Sequence, residues 1–135
     1  SGELTLLRVT ENIPFSMNPS SIKPLILPKE NQTIVTVVDS RINSSKWKLY
    51  LNYTNPMIEK EGKILIDSLV FKKFDNEEII LKTNKKLIYE SSDNGGNISV
   101  SNVTFSTDKG LLLKPSKDLL EDEDYSTLII WSVEE

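Results

Sequence analysis

Cysteine and histidine are both absent from this 135-residue sequence, and their absence bounds the chemistry open to it. A thiol nucleophile, a Ser-His-Asp triad, an imidazole general base and a Cys/His zinc site are all excluded. What remains is oxygen chemistry from 20 acidic side chains. The densest group, Glu121-Asp122-Glu123-Asp124, could gather a hard cation such as calcium, but it lacks the alternate-position acids and turn glycine of a calcium loop. A solvated acidic loop is the expected reading. A carboxylate pair could in principle cleave a glycosidic bond, yet no spacing singles out a pair. No catalytic residue, metal site or cofactor is expected, and the chain reads as a binding module.

Two further groups carry weaker signals. Five Asn-x-Ser/Thr triplets begin at Asn31, Asn43, Asn52, Asn97 and Asn102; in a eukaryotic secreted protein they would accept glycans, but 11 asparagines among many Ser and Thr produce such triplets by chance. The doublets Lys72-Lys73 and Lys85-Lys86 could meet an anionic polymer such as teichoic acid, although lysines at strand edges more commonly keep those edges soluble and unpaired. A net charge of −4 offers no basic face to displace counterions, so nucleic acid is not an expected partner.

The tryptophans are the residues most open to two readings. Trp47-Lys48-Leu49 and Trp131-Ser132-Val133 each place an indole two residues before an aliphatic side chain. Alternate residues of a strand share a face, so each pair points one way. Indoles pack sandwich interiors well, and exposed ones grip sugars or partner proteins. From spacing alone the core reading is favoured over the contact reading.

These residues must be held by strands. The chain has 14 Ile, many Val, Thr and Leu, and no Ala, and β-branched side chains suit a pleated surface better than a helical turn. Strand-like runs recur at Leu4–Val9, Ile22–Leu27, Thr33–Val38, Trp47–Tyr53, Ile64–Phe71, Ile79–Leu81, Leu87–Tyr89, Ile98–Phe105, Leu111–Leu113 and Tyr125–Val133. Ten short runs at this spacing predict a single all-β domain over residues 1–135, an antiparallel sandwich or flattened barrel, with the two tryptophan strands central. Four prolines between Pro14 and Pro28 put any strand there near an edge. In Trp47–Tyr53, Trp47, Leu49, Leu51 and Tyr53 share the face expected to be buried, and Lys48, Tyr50 and Asn52 share the wet one. Ile98 and Val100 fall on the opposite parity to Val103 and Phe105, which predicts a β-bulge near Ser101-Asn102. Ser91–Asn97 is the strongest turn, since Gly95-Gly96 can take positive φ. Ser116–Tyr125 is the sole helix candidate. No run approaches the 18 or so apolar residues of a membrane span, and the start lacks a secretory leader. Ser1-Gly2 reads as a tag remnant or processed end.

Taken in order, Gly2-Glu3-Leu4-Thr5-Leu6, Asp39-Ser40-Arg41 leading into Trp47-Lys48-Leu49, and Tyr125-x-Thr127-x-x-x-Trp131-Ser132-Val133 resemble the WxL domain across nearly the whole chain. The resemblance implies a C-terminal module of low-GC Gram-positive surface proteins, extracellular and held at the cell wall through peptidoglycan, alongside a membrane-anchored WxL-interacting protein. Its signature positions fall on Trp47, Leu49, Trp131 and Val133, with Asp39, Arg41 and Tyr125 accompanying them. Val133 stands where the family usually has Leu, and the glycines that usually follow the Asp-x-Arg turn and precede the terminal Tyr are missing, with Asn43 and Asp124 nearby.

The expected function is non-catalytic cell-wall anchoring by binding peptidoglycan, another wall polymer or the WxL-interacting partner. The alternative is an adhesive module for host matrix protein or glycan. Asp39 and Arg41 sit two apart after an apolar strand, so their side chains project together, and a guanidinium held by a carboxylate is expected to clamp the loop leading into Trp47.

Overall fold

A computed structural model describes residues 2–13, 32–55, 57–58, 64–65, 67–106, 108–114 and 126–135. Among them there is no helix. In chain order the strands are β1 (Leu4–Val9), β2 (Gln32–Asp39), β3 (Lys48–Tyr53), β4 (Met57–Ile58), β5 (Ile64–Leu65), β6 (Leu69–Lys72), β7 (Glu78–Ile80), β8 (Lys86–Glu90), β9 (Ser99–Ser106), β10 (Gly110–Leu113) and β11 (Ile129–Glu134). They form three three-stranded antiparallel sheets, ordered β1-β2-β9, β10-β6-β7 and β11-β3-β8, and a short β4-β5 ribbon. The sheets do not close into a barrel, so the architecture is all-β and sandwich-like.

All three larger sheets send side chains into one core. Val35 and Val37 of β2, Val103 and Phe105 of β9, Leu49 and Leu51 of β3, and Leu69 and Phe71 of β6 are buried together. Phe71 is where the layers meet. Its ring meets Phe105 edge-on at 4.9 Å and Trp131 edge-on at 6.5 Å, bringing one residue from each sheet into aromatic contact. Edge-to-face rings set the negative face of one against the positive rim of the other.

The alternation in β3 is as read from sequence on the inner face: Trp47, just before the strand, and Leu49, Leu51 and Tyr53 are all buried. The other face is only partly wet. Lys48 is exposed, but Asn52 is buried and its amide donates to Thr83 O at 3.2 Å, so the Asn52 triplet has no free amide for a glycan.

Three expectations are corrected. The bulge expected near Ser101-Asn102 is absent: β9 pairs with β2 in continuous register from Gln32–Ser106 to Asp39–Ser99. The parity that suggested it arises because Ile98 and Val100 face solvent. Register shifts lie instead where β8 pairs with β3, between Leu49 and Tyr50, and in β1, between Leu6 and Arg8, where the extra residue Leu7 turns outward. The shift in β1 lets Leu4, Leu6 and Val9 all pack toward the core despite their uneven spacing. The run Ile64–Phe71 is two strands, broken at Asp67, which takes φ 54°. Finally, β3 is central in its sheet but β11 is an edge, and β11 begins at Ile129. The Ile22–Leu27 run, the Ser116–Tyr125 helix candidate, the prolines between Pro14 and Pro28, and the Glu121–Asp124 cluster lie outside the described residues. No helix among those described is long and apolar enough to cross a membrane, and no group of three or more acidic side chains there could hold a metal.

Candidate functional site

The two Trp-x-aliphatic motifs lie side by side. β11 runs antiparallel to β3 with Val133 opposite Leu49 and Trp131 opposite Leu51. Antiparallel pairing puts the motifs head to tail, so their aliphatic residues meet in the middle and their indoles lie toward opposite ends. Trp47 is fully buried and packs against Tyr89 at 5.5 Å. Trp131 and Val133 are partly buried against the same core. A chain of rings joins the indoles: Trp47 to Tyr89, Tyr89 to Phe74 at 6.0 Å, Phe74 stacked on Phe105 at 4.9 Å, then Phe71, then Trp131. Neither indole is presented to a ligand as a flat exposed platform.

At the Trp47 end, residues from four parts of the chain converge. Asp39 ends β2 with its side chain fully withdrawn from solvent. Arg41 donates Nε–H to Asp39 Oδ1 at 2.8 Å and Nη2–H to Asp39 Oδ2 at 3.0 Å, and its backbone N–H donates to Oδ1 at 3.1 Å. The same Nη2 donates to the Lys46 carbonyl at 3.0 Å, which fixes the residue before Trp47. A fork of this kind matches a carboxylate with two parallel bonds. Ser91 then receives Trp47: its hydroxyl accepts the Trp47 N–H at 2.8 Å and its own N–H donates to the Trp47 carbonyl at 2.9 Å. At the other side, Arg41 Nη1 lies 3.6 Å from Glu135 Oε1.

Asn94 completes the junction. Its amide nitrogen donates to Asp39 Oδ2 at 3.0 Å and to the Arg41 carbonyl at 3.1 Å. Its oxygen accepts the N–H of Ser45 at 3.0 Å and of Gly96 at 2.8 Å. All four hydrogen-bonding positions of the amide are used. Gly95 and Gly96 take φ of 65° and 75°, as the turn requires.

Gly2 belongs to this junction as well. It takes φ 96°, and a Cβ there would lie 2.2 Å from the Ser40 carbonyl oxygen. Ser40 N–H donates to the Glu3 carbonyl at 2.9 Å, and Glu3 N–H donates to the Ser40 hydroxyl at 2.9 Å. The opening Gly-x-Leu and the Asp-x-Arg turn are therefore one contact.

Electrostatically the junction is settled. The Arg41 hydrogen bonds hold the Asp39 carboxyl below its ordinary value, outweighing burial, which pushes it up. The same contact raises Arg41. On the neighbouring turn, the Ser44 hydroxyl and the Gly95 N–H lower Asp93.

The outer face of the β1-β2-β9 sheet carries exposed apolar side chains around a polar pair, in which the Thr36 hydroxyl donates to Asn102 Oδ1 at 2.7 Å. Val100 is 61% exposed and stands opposite Val38, Ile98 is 74% exposed, and Ile34 and Leu7 are also exposed. The lysine doublets are partly occupied: Lys73 pairs with Glu77 at 3.3 Å and Lys85 with Glu134 at 3.2 Å.

Of the residues singled out from sequence, the structure brings Leu49 and Val133 together and joins Asp39 to Arg41; Tyr125 lies outside the described residues. Asn94 and Ser91 were not singled out as site residues, though the Asn-Gly-Gly turn marked their neighbourhood. No family model matches the chain, and neither a curated protein nor a solved structure matches it.

Proposed function

We propose that the chain is a non-catalytic cell-wall-anchoring module of a Gram-positive surface protein, which binds peptidoglycan or a membrane-anchored WxL-interacting protein at the extracellular surface. The observation that carries this reading is the direct pairing of the two Trp-x-aliphatic motifs through Leu49 and Val133, with the Asp39–Arg41 fork leading into the first. Motif elements scattered along the chain thus build one structural unit, as a domain signature should.

The contact surface is then not the signature itself. With Trp47 buried and Trp131 half-buried, the outer face of the β1-β2-β9 sheet offers one accessible apolar surface, where Leu7, Ile34, Ile98 and Val100 are exposed. Its exposed side chains are aliphatic, which suits a protein partner better than sugar rings, because sugars are gripped by flat aromatic faces. This favours the partner protein within the anchoring reading.

The test is co-sedimentation of the purified domain with washed Gram-positive walls, before and after extraction of wall-associated protein. Retention lost on extraction supports the protein partner, and retention that survives supports peptidoglycan. Binding to host matrix proteins with no wall retention would overturn anchoring in favour of adhesion, and release of reducing sugar from walls would make the domain an enzyme.

A further inference from the structure

Asn94-Gly95 is the sole Asn-Gly dipeptide in the sequence, and it sits at the centre of the junction that holds Asp39 and Arg41. In an unconstrained chain this dipeptide is the one most prone to lose ammonia, because glycine has no side chain to shield its backbone nitrogen. The Gly95 nitrogen attacks Asn94 Cγ, forming a new C–N bond. The Asn94 amide nitrogen leaves as ammonia with the Gly95 proton, and a five-membered succinimide results. Water then opens the ring at either carbonyl, giving aspartate or its β-linked isomer. One water is consumed and one ammonia released, with no oxidant or other reactant.

The folded turn opposes each part of that step. The Gly95 N–H is committed to Asp93 Oδ1 at 2.7 Å. The Asn94 amide cannot swing toward it without giving up hydrogen bonds to Asp39, Arg41, Ser45 and Gly96 together. The leaving nitrogen itself is the group that donates to Asp39 and to the Arg41 carbonyl.

The ionised product is repelled from this geometry. A carboxylate at position 94 would set one oxygen, in place of the N–H donors, about 3 Å from both Asp39 Oδ2 and the Arg41 carbonyl oxygen. Two carboxylates at that separation repel unless one takes up a proton. We propose that Asn94 is a conformationally gated deamidation site: the closed junction suppresses the reaction, opening of the turn permits it, and the resulting negative charge beside Asp39 keeps the junction from closing again. The modification is a one-way record of how long the turn has been open.

The experiment holds the full chain in mildly alkaline buffer, folded in one arm and unfolded in urea in the other, and follows the peptide containing Asn94 by mass spectrometry. Conversion at Asn94 is expected to be slower in the folded arm by about tenfold or more, the ratio expected of a reaction that needs local opening. Equal rates in the two arms would overturn the gating. A second measurement uses Asn94→Asp, the aspartate product made directly, with Asn43→Asp on the neighbouring exposed loop as control. A lowered thermal midpoint for Asn94→Asp alone supports the block to reclosure; a midpoint equal to that of the parent chain overturns it. The first arm needs no variant to fold.

Discussion

Asp39 is fully withdrawn from solvent, and Arg41, two residues on, closes on it with two parallel guanidinium hydrogen bonds of 2.8 and 3.0 Å. Removing the acid strands a guanidinium that is itself mostly covered and frees the Lys46 carbonyl contact that positions Trp47. Asp39→Ala is expected to cost about 2–3 kcal/mol in urea unfolding. Arg41→Lys is expected to lose a large part of the same stability, because an ammonium cannot make the fork. A loss below the error of the measurement for Asp39→Ala would show that the pair is ornamental.

The same carboxyl gives a pH dependence with a fixed sign. Its folded value lies below the ordinary aspartate value of 3.8, so the pair stabilises the fold fully above that pH. Stability is lost as the pH falls through the folded value and the carboxyl takes up a proton. Asp93 and Asp108 are lowered too, by the Ser44 and Ser106 hydroxyls, and add to the loss in the same window. Urea midpoints measured across this range should fall toward acid, and more steeply for the parent chain than for Asp39→Asn. Parallel curves for the two proteins would remove Asp39 from the account.

Gly2→Ala tests the contact between the opening residues and the Ser40 turn. The added carbon would lie far inside contact distance of the Ser40 carbonyl, at a φ that L-residues rarely adopt. A loss of about 1–3 kcal/mol is expected, read as a lower thermal midpoint. An unchanged midpoint would mean that the first residues are not held against the turn.

The two indoles should differ. Trp47→Ala empties a fully buried site and is expected to cost about 3–5 kcal/mol, while Trp131, half-buried on an edge strand, should cost less. Fluorescence should follow suit, with the bluer emission belonging to the chain that retains only Trp47. Equal costs and equal emission would contradict the asymmetry of burial.

Ile98→Lys with Val100→Lys separates binding from folding. Both side chains are exposed on the outer face, so the double variant should unfold within about 0.5 kcal/mol of the parent. Wall retention should fall severalfold if this face makes the contact. Full retention would place the contact elsewhere.

The inner face of β3 was legible in the sequence because a strand buried on one side writes its burial at every second residue, from Trp47 to Tyr53. The same rule misread β9, because it takes each apolar residue as inward, and Ile98 and Val100 are not. The shift in β1 was hidden for the converse reason: Leu6-Leu7 is apolar at both positions, and only the register against β2 shows which leucine is extra. Asp39 with Arg41 could be read locally, being two residues apart. Asn94, 55 residues from Asp39, could not, since no local pattern says which polar side chain will arrive from a distant turn.

The pairing of Val133 with Leu49 also dictates when the molecule can become itself. One member comes from the first half of the chain and the other from the last strand described, with β4 to β10 lying between them. Closing so long a loop costs entropy before any contact offsets it, and folds dominated by such pairings form slowly. A chain emerging from its amino end therefore holds Trp47 without its facing strand, and cannot complete its core until Trp131 has appeared.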